Sequence, residues 1–119
     1  DVERSRGLGD VYKRQTILFR YSAIGFVGHR IHYDYPYTKN EENYPDLIVH
    51  GPLQATFLLR AAEKLKGKSV TSFNHKVMAP VFANSNYIIG AKENQDGSVS
   101  CWGAVKGTGM TMQAEAFFE

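Results

Sequence analysis

The sequence is poor in cysteine, in net charge and in long apolar runs, and each shortage removes a class of protein. Cys101 is the only cysteine, so the chain forms no internal disulfide and no cysteine-based metal site, and it fits a reducing, cytoplasmic setting. The net charge is +2 with both signs scattered, so no basic stripe tracks a nucleic-acid backbone and no acidic block acts as a solvating tail. The longest apolar stretch, Leu47 to Leu59, is broken by His50, Gly51, Pro52 and Gln54. It falls well short of the ~20 residues that a membrane-spanning helix needs. There is no internal repeat and no low-complexity tract. A chain of 119 residues makes one domain that buries roughly two-thirds of its unfolded surface.

Residues 1–15, DVERSRGLGDVYKRQ, differ in character from the rest of the chain: no starting methionine, alternating charges and several glycine or aspartate breakers. We read them as a non-native or disordered leader, the GDVYKRQ portion resembling translated adapter DNA at the edge of a sequenced fragment. Residues 16–119 are then the C-terminal part of a longer protein. Within them, Ile17 to Ile24 is rich in Ile, Phe and Tyr and reads as a strand. Tyr35-Pro36 imposes an extended or turn conformation, and Thr38 to Asn43 a short helix or loop. Pro52 suits a first helical turn. Leu53, Phe57, Leu58, Ala61, Ala62 and Leu65 then follow at helical spacing until Gly67 ends the helix. Strands are expected over Val70–Phe82, Asn86–Lys92 and Ser98–Val105, with Asp96-Gly97 as a two-residue hairpin turn. Met110, Met112, Ala114, Ala116 and Phe118 alternate with Thr111, Gln113 and Glu115, the mark of a last strand with one buried face. The fold class is α+β, one helix of about fifteen residues followed by antiparallel strands able to wrap it.

Two motifs carry chemistry. Gly28 to Asp34, GHRIHYD, sets His29 and His32 on one segment, and Tyr44 to Leu59 sets His50 and Gly51 at the mouth of the apolar helix. Histidine, with an unperturbed pKa of ~6.5, serves as acid or base near neutral pH. An amide at a helix N-terminus attracts developing negative charge, and glycine there admits a ligand closely. The arrangement suits acid–base chemistry on an acyl group. Tyr33, Tyr35 and Tyr37 alternate at period two and read as the lining of an acyl pocket or a subunit contact. Cys101 and Trp102 read as packing residues.

FRYSA at 19–23, GHRIHYD at 28–34, YPDLIVHGPLQAT at 44–56, and the later Ala79-Pro80, Asp96-Gly97, Trp102 and AEA at 114–116 resemble the MaoC-like hydratases and dehydratases. The resemblance is strongest to the branch holding mesaconyl-C4-CoA hydratase and the type 2 hydroxyacyl-thioester dehydratases. It implies the hot-dog fold, a curved antiparallel sheet wrapped around one central helix, and reversible addition of water across the double bond of an acyl-CoA or acyl-carrier thioester. No separate cofactor is implied, because CoA is part of the substrate. The family histidine maps onto His32 and its downstream aspartate onto Asp34. The aspartate found five positions before that histidine in the wider family is Val27 here, which moves no proton. His29 is then expected to supply or orient the second proton, or Asp34 to orient His32. His50 and Gly51 are expected at the thioester oxygen, Tyr33 at the acyl chain and Lys76 at the CoA phosphates.

Two rivals share the fold. A thioesterase usually needs a carboxylate near the start of the central helix, where this helix offers Gln54. A non-catalytic half of a double hot-dog protein would tolerate Val27 but has no reason to keep His32, Asp34, His50 and Gly51 together. Pairing is expected, as a homodimer or with a second hot-dog half, since such a domain exposes a sheet edge. The compartment is expected to be cytoplasmic, or mitochondrial in a eukaryote.

Overall fold

The computed structural model describes residues 2–6 and 11–119. Along the chain these form strand β1 (Val2–Arg6), helix α1 (Val11–Ile24), a single 3₁₀ turn (Arg30–His32), α2 (Tyr35–Asn40), α3 (Gly51–Lys66), β2 (Ser72–Val77), β3 (Tyr87–Glu93), β4 (Val99–Val105) and β5 (Gly109–Phe117). The strands make one antiparallel sheet in the order β1-β3-β4-β5-β2. The sixteen-residue α3 lies against its inner face.

Helix α3 forms where the apolar spacing predicts it, with Pro52 in the first turn and Gly67 ending it. It buries Leu53, Leu58 and Ala62 against Ala91, Val99, Cys101, Met112, Ala114 and Ala116 of the sheet. Each fully buried leucine contributes about 1.5–3 kcal/mol. This helix-on-sheet core fixes the one fact the site depends on: the N-terminus of α3 sits at the rim of the inner face.

Four local expectations are corrected. Ile17–Ile24 lies in helix α1, not in a strand. The buried positions are Leu18 and Ser22, four apart, so one side of the segment meets the core at helical period, and that contact overrides the β-preference of Ile17, Phe19 and Tyr21. The long strand expected from Val70 is shorter, because residues after Val77 leave the β5 ladder, where Met78 N–H and Ala79 N–H both bond the Thr111 carbonyl. The β3–β4 connection is longer than a two-residue turn. Gly97 N–H bonds the Asn94 carbonyl at 3.1 Å, Asn94 N–H bonds the Ser98 carbonyl, and Gly97 takes φ 89°. The left-handed glycine therefore acts as a bulge after the turn.

The fourth correction shapes the site. The alternation in β5 is broken by a bulge, since Gly103 opposes Met112 while the next residue, Ala104, opposes Met110. Thr111 is the extra residue. It turns inward and is buried while Met110 is exposed, the reverse of the strict alternation.

Residues 2–6 and 11–15 fall inside the segment set apart as a leader. The former pair with β3 as the edge strand, and the latter open α1, where the Arg14 guanidinium donates to the carbonyls of Ala83 and Ser85 at 2.9 and 2.8 Å.

Candidate active site

Each half of the site is held by a short backbone ladder. In the 3₁₀ turn, buried Ile31 anchors the chain, and its carbonyl accepts from Ile48 N–H at 2.9 Å. The Ile48 carbonyl in turn accepts from His32 Nδ1 at 2.6 Å. A carbonyl only accepts, so Nδ1 carries the proton and Nε2 of the neutral ring keeps its lone pair. Burial is the largest influence on this imidazole and lowers its pKa. The Ile48 bond opposes the shift and His29 adds to it. His32 is thus held neutral, in one tautomer, with a basic nitrogen to offer.

Residues 47–49 run antiparallel to residues 81–83, with Val49 N–H on the Val81 carbonyl and Ala83 N–H on the Leu47 carbonyl, both at 2.8 Å. This extended run delivers His50 to the N-cap of α3 and Gly51 to its first turn. The His50 ring stacks on His32 with centroids 3.9 Å apart and planes 17° apart, and Tyr21 covers it at 4.7 Å. Ser22 Oγ lies 2.8 Å from His50 Nε2. With only 2 % of its surface exposed, His50 is pushed down to a pKa of about 4, by burial first and by neighbouring His32 second. Its Nδ1 has no partner among the described residues. The His50 side chain does not cap the helix and Pro52 has no N–H, so the first-turn amides of Gly51 and Leu53 carry no side-chain cap from it. A Cβ at Gly51 would meet the Val77 side chain at 3.7 Å, an ordinary contact distance.

His32 and Gly51 border one cavity of about 400 Å³, with walls from Ile48, Val49 and residues 77–80 and with Gln54 as its other polar side chain. His32 and Gly51, both assigned to the thioester by the family resemblance, thus line one cavity. His50 sits behind His32, buried by it. His29 is exposed, its ring edge-on to His32 at 5.9 Å, and it does not line the cavity. Asp34 stands apart as well. Its carboxylate caps α2 through Tyr37 N–H at 3.1 Å and pairs with Arg30 at 2.9 Å, and these contacts hold its pKa below the usual carboxylate range. The group that orients His32 is the Ile48 carbonyl, not Asp34. Tyr33 bonds the Gly28 carbonyl at 3.1 Å and packs edge-on to Phe19, outside the cavity lining. Lys76 pairs with exposed Gln113 on the sheet face turned away from α3 and borders a different depression, beside Trp102.

Sequence reasoning missed Ser22 and Gln54. Ser22 was concealed by reading α1 as a strand. Gln54 carried a usable signal, because it is a polar residue on the buried stripe of α3 beside Leu53 and one turn before Leu58.

A helix laid on a five-stranded antiparallel sheet, with a histidine and a helix-terminal amide sharing a cavity, defines a hot-dog domain of the MaoC-like kind. The solved (R)-hydratase from A. caviae involved in PHA biosynthesis superimposes with a TM-score of 0.77 at 14% identity, over 98% of this chain and 91% of that one. Residues 5–83 match the family model for hydroxyacyl-thioester dehydratase type 2, and the chain belongs to that family. Mesaconyl-C(4)-CoA hydratase of Chloroflexus aurantiacus is 42% identical over 80 residues, 67% of this chain and 29% of the relative. The mitochondrial hydroxyacyl-thioester dehydratase type 2 of Schizosaccharomyces pombe is 37% identical over 71 residues, 57% of this chain and 24% of the relative. The chain thus spans less than a third of the length of these curated relatives.

Proposed function

We propose that this domain handles the thioester in a hydro-lyase, which reversibly adds water to the double bond of a short or branched enoyl-CoA of the mesaconyl type, or dehydrates a 3-hydroxyacyl thioester. The observation that carries the reading is the shared cavity of His32 and Gly51. His32 Nε2 takes a proton from water as the water oxygen bonds the β carbon. The electron pair of the double bond moves toward the thioester oxygen, where the Gly51 amide at the positive end of α3 stabilises it. The imidazolium then returns its proton to the α carbon, so one histidine serves as base and acid, and Val27 need supply nothing. CoA or a carrier enters as part of the substrate and no other cofactor takes part.

A second hot-dog unit, from a second copy or from the rest of a longer chain, is the proposed partner. Two observations favour it: edge strand β2 is exposed along nearly its whole length, and Val77 and Met78, which wall the cavity, are themselves half exposed. No helix of the described residues is long and apolar enough to cross a membrane. The related yeast protein is mitochondrial, and the compartment we propose from the single cysteine is the cytoplasm, or mitochondria in a eukaryote.

The test is hydration of a small enoyl-CoA, followed by loss of the enoyl absorbance, with wild type and His32→Ala. Activity that falls about 10²–10⁴-fold in the variant is expected. Release of free CoA from the wild type would make it a thioesterase, and binding without turnover would make it a structural module.

A further inference from the structure

Gln54 is the polar side chain of the cavity to which the hydration mechanism gives no task. It is 1 % exposed, yet it borders the same cavity as His32, among walls that are otherwise apolar or glycine. Burying an amide without hydrogen bonds costs roughly 1–3 kcal/mol, so its partners matter. Tyr87 O–H donates to Gln54 Oε1 at 3.3 Å. Thr111 Oγ lies 3.4 Å from Gln54 Oε1 and 3.2 Å from the Gly103 carbonyl, and its one proton is shared between these two acceptors. The Gln54 oxygen is therefore occupied from the sheet side. Its Nε2 has no hydrogen bond among the described residues. Two structural devices maintain this arrangement: the β5 bulge that turns Thr111 inward, and the missing side chain at Gly103, where a Cβ would lie 2.0 Å from the Tyr87 hydroxyl.

We infer that Gln54 Nε2 donates to the oxygen on the β carbon of the acyl chain, the attacking water in one direction and the 3-hydroxyl in the other, holding it between itself and His32. The inference rests on the hydro-lyase reading. A bound water needs two or more polar partners, and His32 and Gln54 are the two polar side chains that line the cavity. Gly51 and Gln54 stand three residues apart, hence on one face of α3, so a thioester oxygen at the first and a β oxygen at the second lie along one side of the helix. A saturated acyl chain would leave the amide unpaired.

Titration calorimetry of wild type with 3-hydroxybutyryl-CoA and butyryl-CoA tests this without relying on turnover. The wild type is expected to prefer the hydroxyacyl thioester about tenfold, the worth of one buried hydrogen bond. Gln54→Leu should reduce that preference below about twofold while holding butyryl-CoA within about threefold of wild type. Tyr87→Phe, which keeps the ring and removes the hydroxyl shared by Gln54 Oε1 and Thr111, should lose part of the preference and serves if the leucine variant folds poorly. A wild type with no preference, or a Gln54→Leu protein that retains it in full, overturns the inference even if hydration is observed. A preference that depends on Gln54 in a protein that hydrates nothing would uphold this contact and discard the hydro-lyase reading.

Discussion

Acid should unfold this protein in a window set by His50. Its folded pKa is about 4 against an ordinary 6.5, so between those values the unfolded chain binds a proton that the folded protein refuses. Stability is then full above pH 6.5 and falls as the pH drops toward 4. The difference of about 2.5 units, at about 1.4 kcal/mol per unit, amounts to roughly 3–4 kcal/mol. That is a large part of the 5–15 kcal/mol that typically holds a domain. His32, also lowered, acts in the same direction. Asp34 and Asp96, held below the ordinary carboxylate value, contribute stability that is lost mainly as the pH falls past the acid end of this window. Urea unfolding at several pH values from 7.5 to about 4.5 should show wild-type stability declining steadily, and His50→Gln should follow a shallower line carrying only the His32 share. Absolute stability of the variant matters less than slope, since the substitution also disturbs Ser22. Equal slopes in the two proteins, or a His50 ring proton titrating near 6.5 by NMR, would refute the reasoning.

Two further outcomes are expected. Gly103→Ala drives a methyl into the Tyr87 hydroxyl, which is buried, and should lower stability by about 1–3 kcal/mol as an overpacked core, read as a shift of the urea midpoint. Asp34→Ala removes the cap of α2 and should cost about 1 kcal/mol while hydration stays within about threefold of wild type; a loss comparable to that of His32→Ala would return Asp34 to the chemistry.

The sequence showed most of the scaffold because α3 and its strands follow local rules. Apolar residues recur at helical spacing between Pro52 and Gly67, and period-two alternation marks most of the last strand. Where tertiary contact outweighs local preference, reading failed. Leu18 and Ser22, buried at helical spacing with Tyr21 packed beside them, turn a β-favouring stretch into a helix, and the β5 bulge inverts Met110 and Thr111 for a partner 57 residues away, Gln54. The site divides the same way. His32 and Gly51 were legible from GHRIHYD and HGPL, whose resemblance set them on one thioester. The Ile48 clamp and the His50 stack come from residues distant in sequence that pack together, and no spacing along the chain announces them; Gln54 was signalled only by its place on the buried stripe of α3. Asp34 shows the opposite error, a motif residue whose short-range partners, Tyr37 and Arg30, claim its carboxylate.

Pro52 gives the mouth of α3 an uneven reach. With an imino ring between two amides, the rung after residue 51 presents carbon where an ordinary helix would present a third hydrogen, so an oxygen that slides by one residue loses its grip instead of finding another. Under the proposed hydro-lyase reading, a thioester oxygen at the glycine would fix the start of the acyl group, and the chain would extend toward the exposed flank of residues 77 and 78.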